Sequence, residues 1–437
     1  MNKTGFVKSL SLSAIALLLG STLAQAVEVD VGGSIRPRVE YADEGIQGMV
    51  AGQKKSHTTM QTRINVKATV DENVSAFVQI QDVRTWGGET PTTAPPSITQ
   101  TGTSTAGQLD LHEAYLTVKN VMDSGATLKI GRQEMVFDEA RLIGNIGWIQ
   151  QAQAFDAIRG DMKVGEIALT AFYAQTLAKD SHPTLGSTLG ANAGTFESSF
   201  SGLRATYSLG DRGDRITPYV YYALNPSRTG AGVDLVPDQA LNIVYTGLYV
   251  AKHIGDVRLR FDGAYESGKA NATTNINAYM LTGAIETDLD IGNGANVALW
   301  VDYLSGDDGA AANANKVSNF TTPYATNHKF YGHMDKFLNN PTHGLIDFAL
   351  RTNFKVTSKL KFELDGHMFR ADKSTATLLD KDLGSEIDFD INYALATNTS
   401  LRMGYSHYFG NGTVNGGTTG NTTLDSNWAW TQVQTKF

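Results

Sequence analysis

The sequence predicts an all-β fold, a transmembrane antiparallel up-and-down β-barrel of about 18 strands. Three observations carry that expectation. Apolar and polar residues alternate with a period of two along most of the chain, and the links between alternating segments are by turns short and long. No stretch beyond the first thirty residues reaches the roughly 18 apolar residues that a spanning helix needs. Composition agrees, since 437 residues include 44 glycines, 17 tyrosines and 18 phenylalanines, a mixture suited to strands and turns. With no cysteine, a disulfide framework, a thiolate metal site and a thiol nucleophile are excluded.

In chain order, Lys3 and Lys8, the apolar run Leu10 to Gly20 and the small-x-small site Ala24-Gln25-Ala26 predict a secretory signal over residues 1–26. Residues 27–437 then form one barrel domain. Losing two lysines and no acid takes the formal net charge from -8 to -10. So acidic a chain, without a basic tract, has no electrostatic means of binding nucleic acid. The first strand is read from Val29, Val31, Ile35, Val39 and Tyr41 alternating with Asp30, Ser34, Arg36, Arg38 and Glu40. Ile64, Val66, Ala68 and Val70 against Arg63, Asn65, Lys67 and Thr69 predict another, and Val257 to Glu266, Ile346 to Phe354 and Glu386 to Tyr393 repeat the pattern. Short links such as 71–73, 254–256, 357–359 and 397–398 alternate with long ones at 42–56, 87–107, 180–195, 306–340 and 410–423. Tight turns on one edge and long loops on the other describe an outer-membrane barrel, with both termini on the periplasmic edge. Closure is a physical requirement, because an open sheet edge in hydrocarbon leaves backbone groups unsatisfied. Aromatic groups near strand ends, Tyr219 to Tyr222, Trp300 to Tyr303, Tyr405 to Phe409 and Trp428 with Trp430, are expected at the bilayer interfaces. The last segment, Trp428 to Phe437, ends on Phe in the manner of terminal strands read by outer-membrane assembly machinery.

Ile130-Gly131-Arg132-Gln133-Glu134, Arg141-Leu142-Ile143-Gly144 with Trp148, and Ala154 to Arg159 resemble the signature of the alginate-export family of outer-membrane barrels. Thr326 to Asp335 and Leu383 to Asp388 resemble its later blocks, so the likeness runs through the mature chain. It implies an outer-membrane channel embedded in lipid, not an enzyme, passing an anionic carboxylated oligo- or polysaccharide or a small hydrophilic solute. It also allows a periplasmic or synthase partner, and it implies no cofactor.

Strand parity places eleven cations on the lumen face: Arg36, Arg38, Arg63, Lys67, Arg204, Arg258, Arg260, Arg351, Lys355, Lys361 and Arg402. Thirteen acids join them: Asp30, Glu40, Asp262, Glu266, Glu286, Asp288, Asp302, Asp347, Glu363, Asp365, Glu386, Asp388 and Asp390. The arginines suit carboxylated sugars, because a guanidinium fork meets a carboxylate with two hydrogen bonds. Cross-strand pairing of the same groups into a rigid wall is the competing reading. With Leu128 and Ile130 facing lipid, strict alternation sends Arg132 outward; a bulge at Gly131 is expected to turn it inward into a charge network with Asp156 and Arg159 on the next strand, the alternative being that Arg132 snorkels to an interface. His328, His333 and His343 lack zinc spacing and read as exposed loop residues, so no metal site is expected. His112, His367 and His407 are the strand histidines a hydrolase could use, but no nucleophile context accompanies them. The loop from Asp307 to Asn340, dense in rings over 320–338, is expected to fold into the extracellular mouth and present Lys329 and Lys336 to an anionic solute.

Overall fold

A computed structural model describes residues 28–43, 54–87, 109–177, 198–224, 242–270, 273–309, 315–374, 380–411 and 425–437. The expected signal segment 1–26 lies outside the described residues, as does most of each connection at 44–53, 88–108, 178–197 and 412–424.

Eighteen strands form the wall. They are β1 (Glu28–Asp43), β2 (Lys54–Thr69), β3 (Val74–Thr85), β4 (Leu109–Val118), β5 (Thr127–Gln133) and β6 (Phe155–Val164). Next come β7 (Ile167–Leu177), β8 (Ser198–Ser208), β9 (Arg215–Leu224), β10 (Asn242–Ile254), β11 (Val257–Lys269) and β12 (Asn275–Leu289). The last six are β13 (Ala295–Leu304), β14 (Leu345–Lys355), β15 (Leu360–Arg370), β16 (Asp382–Ala396), β17 (Thr399–Phe409) and β18 (Ser426–Lys436). Each pairs antiparallel with its chain neighbours, and β1 pairs with β18 to close the barrel, Ser34 opposite Lys436 and Asp43 opposite Asn427. A two-residue strand, Lys316–Val317, adds to the rim in parallel with Asn275 and Ile276 of β12.

Apolar residues at alternate positions, among them Ile64, Ile285, Leu299, Leu350 and Ile387, are exposed on the outer face, where a lipid solvent covers them. The short turns, such as Gly165-Glu166 and Gly255-Asp256, lie at one edge, and the start of β1 and the end of β18 meet at that edge. The expected count, closure and shared edge of the two described ends are thus all present.

The buried hydrophobic residues lie inside the barrel, an arrangement an empty pore would not need. Phe172, Phe200, Tyr221, Tyr245 and Tyr249 point inward from the wall and join Phe320, Phe330, Phe337, Met135 and Ile143 in one cluster. Here the interface reading of the aromatics is corrected. Tyr219, Tyr221, Trp300, Tyr408, Trp428 and Trp430 are buried inside, while Tyr222, Tyr405 and Phe409 face outward. The cause is that two connections enter the lumen and supply the partners these rings need.

Candidate functional site

The first in-folded segment, residues 134–154, leaves the extracellular end of β5 and crosses the lumen twice. Its Asp138 accepts from Arg204 Nη2 of β8 at 2.7 Å, and its Glu139 accepts from Tyr249 Oη of β10 at 2.9 Å and pairs with Arg260 of β11 at 3.2 Å. Burial alone would raise the Glu139 carboxyl, but Arg260, Arg141 and Lys329 outweigh it and hold the group below its ordinary value. Arg141, wholly buried, reaches Asp302 of β13 at 2.5 Å and lies 3.8 Å over the Phe330 ring. The chain then returns to the opposite wall. There Arg36 donates to Gly147 O at 2.8 Å, Ile149 O at 2.8 Å and Gln150 Oε1 at 2.9 Å. Arg38 donates to Trp148 O and covers the indole at 4.0 Å, while Gln81 Nε2 donates to Gln151 O at 2.8 Å.

The second segment, described over residues 305–309 and 315–344, enters between β13 and β14 and meets the first at the centre of the lumen. Tyr324 N donates to Leu142 O at 3.0 Å, Gly144 N to Tyr324 O at 2.8 Å and Thr326 N to Ala140 O at 2.9 Å, a short parallel pairing of two loops. Gly144 permits this approach, since a Cβ there would stand 2.1 Å from Thr326 Oγ1. His328 stacks on Trp148 at 4.4 Å, Thr321 N donates to Glu266 at 2.8 Å, and Met334 N donates to Glu386 at 2.8 Å. Phe337 packs on Phe369 at 4.6 Å. Burying a ring of this size stabilises by about 1.5–3 kcal/mol, which explains why the segment turns inward instead of into water.

Several expected placements need correction. Glu386 and Asp388 are buried beneath the second segment as acceptors for Met334 N and His333 N, and Asp390 is held by Arg402 at 2.6 Å. They anchor the loop and its wall, and they do not face a passage. Asp262 is likewise buried and accepts from Tyr219 Oη at 2.9 Å. Lys336 is only 1% exposed, under the face of Tyr408 at 4.8 Å, because the rings around it carry it inward, so it presents no charge to a solute. Burial lowers its ammonium to about 8. None of the three loop histidines is exposed as expected: His328 is buried, stacked between Trp148 and His333, and His333 and His343 are half-buried.

Arg132 stays outward. The ladder runs unbroken through it, Ala114 on one side and Asp156 on the other, and it pairs with the outward, largely exposed Asp156 at 3.2 Å. Gly131 is needed for close approach and not for a bulge, since a Cβ there would meet Ala114 O at 2.3 Å. The site is one residue from the extracellular end of β5, where an outward Arg costs about 0–1 kcal/mol. The irregularity lies on β4, where His112 is extra between the pairs Gln79 with Glu113 and Ile80 with Leu111. Arg159 faces inward and pairs with Asp161 at 2.8 Å, so the anticipated network on β5 and β6 is divided between two faces.

The remaining expected residues line the wall. Arg63 donates to Gln81 Oε1 at 2.7 Å, and Arg351 donates to Lys329 O at 3.0 Å and Phe330 O at 2.6 Å. Lys329 remains exposed, with Nζ 3.2 Å from Glu139 O. Glu363 stands opposite Asp390 in the ladder, and Arg258 opposite Glu286. Of the strand histidines, His112 is bonded to Glu134 at 2.8 Å, His367 to Asp347 at 2.8 Å and His407 to Asn427 at 2.8 Å. Burial changes the charge balance of the wall. It removes seven of the thirteen inward acids (Asp262, Glu266, Asp302, Asp347, Glu386, Asp388 and Asp390) but only two of the eleven cations, Arg36 and Arg38. Among these parity-assigned residues six acids and nine cations then stay accessible, and four of the cations, Arg63, Arg204, Arg260 and Arg402, are paired with Glu134, Asp138, Glu139 and Asp390.

A closed antiparallel barrel with a lipid-facing apolar exterior and a charged, loop-obstructed lumen defines an outer-membrane channel protein of a Gram-negative bacterium. The chain belongs to the alginate export family, whose pattern, described as "Alginate export", matches residues 27–424. Family and fold are those of channels, not enzymes. The fold is similar to that of Pseudomonas aeruginosa OccK9 (OpdG), with a TM-score of 0.60 and 15% identity over 94% of this chain and 98% of that one. OpdL of the same organism gives 0.59 and 13% over 94% and 99%, and OpdK crystallised with vanillate gives 0.55 and 12% over 93% and 98%. Likeness at these identities is one of fold. Comparison with curated proteins gives no match.

Proposed function

We propose that this outer-membrane channel passes small carboxylate-bearing solutes, from a sugar acid to a short oligosaccharide, by passive diffusion. The observation that carries this reading is the charge balance among the parity-assigned inward residues once the buried ones are set aside, six acids against nine cations. Such a surface raises the local concentration of anions, and its guanidinium groups suit carboxylates. The alginate-export likeness favours a carboxylated sugar as the solute. The two loops joined across the lumen favour short solutes over a long polymer, since a polymer would have to thread beside a structure held by backbone pairing and by Arg36, Arg204 and Arg260. Swelling of vesicles carrying the purified protein tests this. Hexuronates and short oligouronates should enter faster than neutral sugars of equal size, and a long uronate polymer should not enter. Equal rates for acid and neutral sugar, or polymer entry, would overturn it.

A further inference from the structure

A cavity of about 330 Å³ lies on the periplasmic side of the first in-folded segment, against the wall formed by β18, β1, β2 and β3. Every side chain that lines it is polar, and no aromatic or aliphatic side chain enters it. Its size is near the lower bound of about 300 Å³ for small-molecule sites.

The cavity has a rigid roof and an uncommitted floor. Arg36 is fixed by three bonds to the 147–150 turn, and Arg63 by Gln81 at 2.7 Å and Glu134 at 3.5 Å. Glu134 accepts from Asn145 Nδ2 at 2.6 Å and is bonded to His112 at 2.8 Å, one carboxylate beside the two guanidinium groups. The roof therefore adds positive potential in a fixed geometry. On the floor, Asn65, Gln79 and Gln434 present amides, and Lys436 stands exposed at the mouth. Gln79 Oε1 is buried with no hydrogen-bond partner among the described residues, an acceptor left waiting for a donor. Amides that both donate and accept match vicinal hydroxyls, and the ammonium at the mouth matches a carboxylate.

We infer that this cavity is a binding site for a sugar acid of one or two residues, its hydroxyls on Gln79, Gln434 and Asn65 and its carboxylate on Lys436. The inference rests on the carboxylate-channel reading for its solute class, but not for its test. Isothermal titration of the detergent-solubilised protein with D-glucuronate, and with D-glucose as the neutral counterpart, reads the site directly. The wild type should bind glucuronate at least tenfold more tightly than glucose. Q79L/Q434L should weaken glucuronate tenfold or more while leaving the zero-current potential in a salt gradient unchanged, since both substitutions are neutral for neutral. K436M should erase most of the preference over glucose. Should the double variant fail to assemble, Q434L alone carries the same expectation at smaller amplitude. Wild-type affinity in an assembled amide variant overturns the site and leaves the channel reading intact. Loss of anion preference in the wild-type channel alongside intact glucuronate binding overturns the channel reading and leaves the site intact. Glucose bound as tightly as glucuronate, or no glucuronate binding at all, overturns the site.

Discussion

Arg36 and Arg258 show how two arginines of the same parity acquire different duties. Arg36 gives its Nε, Nη1 and Nη2 to the 147–150 turn, whereas Arg258 faces inward near the periplasmic end of β11 with Glu286 and His253 opposite it in the ladder and no in-folded segment bonded to it among the described residues. Parity could predict that both point inward, but not that a distant loop consumes one of them. R36M should leave two carbonyls without donors, at about 1–3 kcal/mol for each buried group, and so open the turn. Hydrogen exchange at the Gln153 amide, bonded to Asn145 O at 2.7 Å, should quicken about tenfold or more. R258A should leave that exchange unchanged and move the zero-current potential toward cations. A pH response belongs to this scale too. Burial lowers the His343 imidazole from 6.5 to about 4, so the unfolded chain takes up a proton as pH falls through 6.5 while the folded chain withholds it. Stability contributed here is full above pH 6.5 and falls toward pH 4. Exchange at the Asp307 and Lys373 amides, bonded to Thr342 O and His343 O, should accelerate over that window beyond its intrinsic rate, and H343N should remove the dependence.

Among the elements, strands were legible and one of the two lumen segments was not. Period-two alternation located β1, β2, β11, β14 and β16, and the ring-dense stretch 320–338 announced a loop that needs a place to bury itself. Residues 134–154 gave no comparable sign, because buried Gln150, Gln151 and Gln153 look like a polar strand face. The readable signal was on the wall instead. Phe172, Phe200, Tyr219, Tyr221, Tyr245 and Tyr249 share the inward parity of neighbouring strands, and a water-filled lumen would not favour them. Arg132 was misplaced because a glycine in a strand marks either a bulge or a close contact, and only the partner strand decides between them. Deleting 320–338 should raise single-channel conductance only in part, since Arg36, Arg204 and Arg260 still pin the first segment. Removing 145–151 as well should raise it further. Unchanged conductance in both deletions would show that neither segment restricts flow.

At the scale of the whole molecule, closure follows from the membrane as solvent, and the alternation of short and long links set the strand count and the shared edge of the described ends. Selectivity was not legible at this scale, because counting inward charges by parity gives eleven cations against thirteen acids, nearly balanced and slightly acidic. Among those residues the balance turns basic once the buried ones are set aside: Glu266, Asp388 and Glu386 are buried as acceptors for the in-folded backbone and Asp302 against Arg141, while Asp262, Asp347 and Asp390 are buried on partners in the wall itself. The measurement that tests this most directly is the zero-current potential of the wild-type channel in a planar bilayer under a potassium chloride gradient. A basic accessible wall predicts a potential of the sign set by chloride passing more readily than potassium, reduced at high ionic strength as the wall is screened. A potential of the opposite sign, as the unmodified count of inward charges would give, or an absence of conductance, would contradict the account.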